Sequence, residues 1–128
     1  MPVRIVRLGS PRLEGEMLRI GTVRRPPRGV PKAEYASRDY FDLWLPEVAP
    51  SESLVKGALR AVSEAQWRSF SRRYRAELAR PEKRRLLDLL VAMSHATTFS
   101  VGCYCAEESR CHRSILRELF AERGVRIE

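Results

Sequence analysis

Between Val3 and Leu8, Val and Ile alternate with outward arginines, the period of a half-buried strand. Met17 to Val23 reads as a second strand. The two lie close in the chain, so an antiparallel pair is one arrangement open to them. Arg24 to Lys32 then carries Pro26, Pro27 and Pro31. Those prolines forbid a helix and leave too few amide donors for a central strand. Tyr40 to Leu45 is short and aromatic-rich, a third strand ended by Pro46 and Pro50.

The middle of the chain changes period. Ser51 caps a helix running to about Val62. Ser63 and Gln66 have the spacing of a capping box. Trp67, Phe70, Tyr74 and Leu78 then recur at three- and four-residue steps, one aromatic stripe of a helix. Pro81 stands where a first-turn proline belongs, ahead of the apolar face Leu86, Leu87, Leu90 and Met93. Thr97 to Cys105 returns to alternation, with Phe99, Val101, Cys103 and Cys105 on one side. A last helix opens at Ser109 or Cys111, runs through Ile115, Leu116, Leu119 and Phe120, and closes at Gly124. Val125 to Ile127 is short enough only for a terminal strand.

Strands separated by helices predict an α/β fold. The expectation is a single three-layer domain over residues 1–128, with a small, mainly parallel sheet flanked by helices. A helical domain with a small sheet is the other arrangement. A chain of 128 residues can bury a core without disulfides or metals to staple it. No stretch reaches the roughly 20 apolar residues that span a bilayer, so no membrane association is expected. Arg4 and Arg7 interrupt the N-terminal segment, unlike a signal peptide. A cytoplasmic location is expected.

Composition adds two facts. The net charge is +8, and only Lys32, Lys56 and Lys83 of the 24 basic residues are lysine. That excess fits an anionic partner, and it equally fits an arginine-rich composition with solvated side chains. The excess lies in residues 1–98, because residues 99–128 carry five basic and five acidic groups. Cys103, Cys105 and Cys111 fall within nine residues. An odd count in a reducing compartment argues against a disulfide framework.

The segment from Cys103 to Arg113 therefore carries the chemistry. It runs from a strand end through a polar loop into a helix start, where ligands of open α/β sheets bind and free amides favour anions. Cys105 and Cys111 are candidate nucleophiles, since amide dipoles, Arg110 and Arg113 favour thiolate, while Glu107 and Glu108 oppose it. Cys103 is expected to face the packed side with Phe99 and Val101. A second reading is zinc held by Cys103, Cys105, Cys111 and His112. Cys111 and His112 are adjacent and expected to diverge, so no metal and no cofactor are expected. A third reading is an anion pocket built from His112, Arg113 and helix amides. Alternatively, the cysteines are small buried hydrophobes and His112 bonds locally.

Four stretches also carry a likeness. They are Arg25–Lys32, with Pro27-Arg28-Gly29; Trp44 to Ser51; Trp67-x-x-Phe70-x-x-x-Tyr74-Arg75-x-Glu77-Leu78; and Cys105-Ala106-Glu107 followed by Cys111-His112-Arg113-Ser114. In these the chain resembles the bacterial "domain of unknown function 488" family over most of its length. The resemblance implies an α/β fold and marks Arg28, Cys105, Cys111, His112 and Arg113. It implies no particular activity. The combined expectation is a small anionic or nucleotide-like ligand bound at a Cys-His-Arg loop, with Arg25, Arg28, His112 and Arg113 as binding groups. The alternative is weak, non-specific nucleic-acid binding through the basic surface. Oligomeric state is not legible.

Overall fold

In a computed structural model, residues 2–59 and 63–128 are described. Four strands form one sheet: β1 (Val3–Arg7), β2 (Leu18–Gly21), β3 (Leu43–Trp44) and β4 (Phe99–Cys103), in the order β1-β4-β2-β3. Every pairing is parallel. The expected α/β class and parallel sheet are therefore present. The first two strands do not pair as a hairpin, because β4 enters between them. Val3 and Leu18 both register with Phe99. The central strand explains its own composition: all five of its residues, Phe99 to Cys103, are buried. The C-terminal tail reduces to one parallel bridge, Val3 with Ile127.

The helices are α1 (Glu52–Leu59), α2 (Glu64–Leu78), α3 (Pro81–Ser94) and α4 (His112–Glu122). The predicted extension of α1 to Val62 lies outside the described residues. The capping box at α2 is present: Ser63 Oγ accepts from the Gln66 amide at 3.1 Å, and the Ser63 amide donates to Gln66 Oε1 at 3.0 Å. Phe70, Tyr74, Leu87, Leu90, Ile115 and Phe120 pack from the helices onto Val3, Ile20, Phe99 and Val101 of the sheet. Burial of these side chains is the main stabilising term.

The opposite face is covered by connections rather than by long helices. The β1–β2 link crosses it, and Arg19, fully buried, donates from Nη1 to the Ser10 carbonyl at 2.7 Å. Phe41 closes the β2 side, where a Cβ on Gly21 would stand 2.4 Å from the Phe41 ring. Gly102 meets the same constraint in β4, since a Cβ there would lie 2.7 Å from the Val6 carbonyl oxygen. Side-chain-free positions thus let Phe41 close over β2 and let β1 lie close beside β4 at Val6.

Candidate functional site

With every strand parallel, the carboxyl ends of β1, β2, β3 and β4 share one edge, the edge where ligands of open α/β sheets bind. A cleft of about 1140 Å³ opens there. Its lining includes Arg25 and Arg28 from the proline-rich loop, Cys103 and Cys105 from the end of β4, and Cys111 and His112 from the start of α4. The two polar loops singled out in the sequence therefore meet at one cavity. Val23, Pro26, Pro27, Tyr40, Val55 and Phe70 add an apolar wall.

The loop after β4 is tethered at both ends. Arg7 Nε donates to the Tyr104 carbonyl at 3.2 Å, and the Tyr104 hydroxyl donates to the Arg25 carbonyl at 2.8 Å. The second bond ties the cysteine segment directly to the proline-rich loop. Further along, Arg117 Nη2 donates to Glu108 Oε1 at 2.8 Å, fastening the loop onto α4. Glu108 therefore turns toward Arg117, and this bond holds its carboxyl below the ordinary value.

Cys103 and Cys111 are buried and Cys105 is exposed. Cys103 is buried, but among Val6, Leu8, Val23 and Phe41 rather than with Phe99 and Val101 as expected, and its Sγ accepts the Cys105 amide at 3.4 Å. Hydrogen bonding from Cys103, and then from Cys111, pushes the Cys105 thiol strongly toward thiolate, and the Arg113 charge adds to this. Cys103, as donor to Cys105 and in a buried position, is pushed far the other way. Cys111 accepts from Cys103, which lowers it, but its bond to Cys105 and its burial leave it raised. Of the two candidate nucleophiles, Cys105 is the one with both access and charge.

His112 and Arg113 do not occupy equivalent places. Ring nitrogen Nε2 of His112 donates to the Thr22 carbonyl at 2.6 Å, which assigns the proton to Nε2 and leaves Nδ1 as an acceptor. Nδ1 lies 3.8 Å from Cys111 Sγ. Withdrawal from water lowers the His112 value to about 4, so the imidazole is neutral near pH 7. The expected divergence of Cys111 and His112 does not occur. Ligand atoms of Cys103, Cys111 and His112 all lie within 4.8 Å of one another, a spread able to hold a cation. The cause is α4 starting directly after Cys111, which turns both side chains back toward the end of β4.

Arg113 is only 3% exposed and is absent from the cleft lining. Its Nη2 donates to the Cys105 carbonyl at 2.6 Å, and its Nε has no partner. It holds no ion pair among the described residues. Arg113 therefore backs the loop rather than facing a ligand. Arg25 is exposed and paired with Glu52, and Arg28 is exposed. Sequence reasoning passed over Arg24 and Lys56, which also line the cleft, as does Arg110. Arg110 is paired with Glu64 and lies 5.8 Å over the Trp67 ring. No local pattern marks Lys56, because α1 reaches the cleft only through packing.

No helix among the described residues is long and apolar enough to cross a membrane. No curated protein matches the chain, and no solved structure does. A family model described as the active DUF488-N3 subclade matches residues 3–124. The match spans the sheet, the proline-rich loop and the whole cysteine segment, so the chain belongs to the DUF488 family, as a member of its DUF488-N3a subclade.

Proposed function

We propose that the chain binds a small anionic, nucleotide-like molecule in the cleft at the carboxyl edge of the sheet, with the Cys105 thiol beside it. One observation carries this reading: a single large cleft combines an apolar wall, uncommitted cations and an exposed thiol. Arg25 and Arg110 are engaged with carboxylates, whereas Arg28 and Lys56 hold no ion pair among the described residues. Those two cations suit a phosphate or carboxylate. Tyr40, Phe70 and Pro27 suit a flat apolar group such as a base.

The test is protection. Nucleoside mono-, di- and triphosphates are titrated into the full chain while Cys105 is alkylated and the adduct is read by mass spectrometry. Bound nucleotide slows the reaction, and Arg28→Ala weakens protection by roughly tenfold, the loss of about one charged hydrogen bond. Equal alkylation at every concentration, with no heat of binding by calorimetry, overturns the reading.

A second reading has its own observation. Arg68, Arg72, Arg73, Arg80, Arg84 and Arg85 are exposed along α2, α3 and their junction, with no ion pair among the described residues. Such a row suits a polyanion such as nucleic acid. Binding through it would fall steeply with salt and be lost on replacing Arg68 and Arg72, while nucleotide protection of Cys105 would stay unchanged.

A further inference from the structure

We infer that Cys103, Cys111 and His112 are three ligands of a zinc-class divalent ion whose fourth coordination position opens onto the cleft. The inference stands apart from the ligand reading and rests on where three side chains lie. The two sulfurs and a ring nitrogen of His112 are within 4.8 Å of one another. Cys111 Sγ and His112 Nδ1 are 3.8 Å apart. A tetrahedral ion with bonds of about 2.0–2.3 Å holds its ligand atoms roughly 3.5 Å apart. Small side-chain rotations therefore close the cluster around an ion.

Two elements bring these groups together. Cys103 ends β4, and Cys111 directly precedes α4, which His112 opens. The imidazole is fixed from behind. Its Nε2 donates to the Thr22 carbonyl at 2.6 Å, which leaves the Nδ1 lone pair on the side of Cys111 Sγ. A backbone acceptor on the far nitrogen is a usual way to orient a metal-binding histidine. The buried Tyr74 ring packs edge-on against the same imidazole, with centroids 5.7 Å apart. Cys103 Sγ accepts the Cys105 amide at 3.4 Å, and an amide aimed at a ligand sulfur offsets its thiolate charge. Cys105 thus takes part through its backbone, and its thiol stays outside the cluster.

Burial and access both suit an ion. Cys103 and Cys111 are buried, yet they and His112 line the cleft. The protein therefore holds one side of the ion, and the cleft faces the other. Three protein ligands with a fourth place left to water or substrate is the arrangement of reactive zinc, whereas structural zinc is closed by four. Binding forms two metal–sulfur bonds and one metal–nitrogen bond. A coordinating thiol loses its proton outright, so two protons pass to solvent and no group is oxidised or reduced. Two thiolates then cancel the charge of the divalent ion, and a water fills the fourth position. Soft sulfur donors with one imidazole select zinc over magnesium or calcium.

The experiment uses the full chain without a polyhistidine tag, purified under reducing conditions. Elemental analysis should give one zinc per chain. X-ray absorption at the zinc edge should show two sulfurs at about 2.3 Å and two nitrogen or oxygen atoms at about 2.0–2.2 Å. This measurement needs only the wild type, so it decides the matter even where a variant fails to fold. With Co(II) in place of zinc, thiolate charge-transfer absorption should fall by about half in Cys111→Ser, as two thiolates become one. His112→Gln should weaken zinc binding more than about a hundredfold, beyond the cost of losing an outer partner of a ligand. Circular dichroism checks that both variants fold. A folded wild type holding only substoichiometric zinc overturns the inference. So does a zinc shell without sulfur, or one with three sulfurs, which would close the fourth position. Wild-type affinity in folded His112→Gln does the same. Nucleotide protection of Cys105 is read separately, so either proposal can fail without the other.

Discussion

Among the described residues two arginines are buried, and their surroundings are opposite. Arg19, on the face covered by the β1–β2 and β2–β3 connections, is fully satisfied. It donates to Glu16 at 2.7 and 3.1 Å and to the carbonyls of Ser10, Asp39 and Pro11 at 2.7, 2.8 and 3.3 Å. Arg113, behind the cleft, donates to one carbonyl and keeps a bare Nε. A buried charge is tolerated when paired and hydrogen-bonded and is costly otherwise. The Arg19 cluster is therefore a closed structural pin that joins three chain segments. Arg113 is a cation held next to thiols with its charge uncommitted, which is the economy of a site rather than of a scaffold.

The comparison breaks most directly at Arg19. Arg19→Met strands the Glu16 carboxylate, whose side chain is 0% exposed. A loss of about 3–5 kcal/mol in urea denaturation is expected. A loss no larger than at a surface residue would remove the distinction between the two arginines.

Acid should reach the same cluster. Burial raises the Glu16 carboxyl, but the Arg19 hydrogen bond, the Leu13 amide and the Arg19 charge together outweigh it and hold it below the ordinary value. Asp42 is lowered likewise, first by its hydrogen bond from Arg12. Carboxyls lowered on folding stabilise fully above their unfolded value of about 4, and that contribution is lost as pH falls through the folded value. Unfolding free energy should therefore decline below about pH 4, and Glu16→Gln should flatten the decline. An equal slope in wild type and Glu16→Gln would show that the pin does not titrate.

Arg113→Met is expected to behave differently from Arg19→Met. It strands no carboxylate, so stability should change by no more than about 1 kcal/mol. The effect should appear instead at Cys105, whose carbonyl Arg113 holds and whose thiolate its charge favours: alkylation of that thiol should slow, read by mass spectrometry. A stability loss as large as that of Arg19→Met would make Arg113 a second structural pin.

The smallest effect is expected at Glu108, which fastens the cysteine loop to α4 through Arg117 near the surface. Glu108→Gln should cost about 0.2–1 kcal/mol, most of it gone at high salt. Thermal unfolding at two salt concentrations measures this. A larger, salt-independent loss would mean that the loop is held from the protein interior.

The sequence by itself determined the local elements and the segment of interest. Alternation of Phe99, Val101 and Cys103, the stripe Phe70, Tyr74 and Leu78, and the Ser63–Gln66 cap are short-range patterns, each governed by residues within a turn or two. Hence they were legible without coordinates, as was the concentration of thiols near Arg113. Tertiary structure decided the rest. Nothing near Val3 or Leu18 in the chain announces that Phe99 of β4, far along the chain from both, will lie between them. That insertion is settled by mutual burial of apolar faces, a long-range sum that no window records. It carries Cys103 to the β-sheet edge where α4 brings Cys111 and His112 back toward it, and it makes a carbonyl of Thr22 the partner of His112. It also divides the arginines, leaving Arg28 at the cleft and Arg113 behind it. Burial, charge compensation and proton placement depend on what surrounds a group in three dimensions, so the same residue types acquire different chemistry only once the chain has folded.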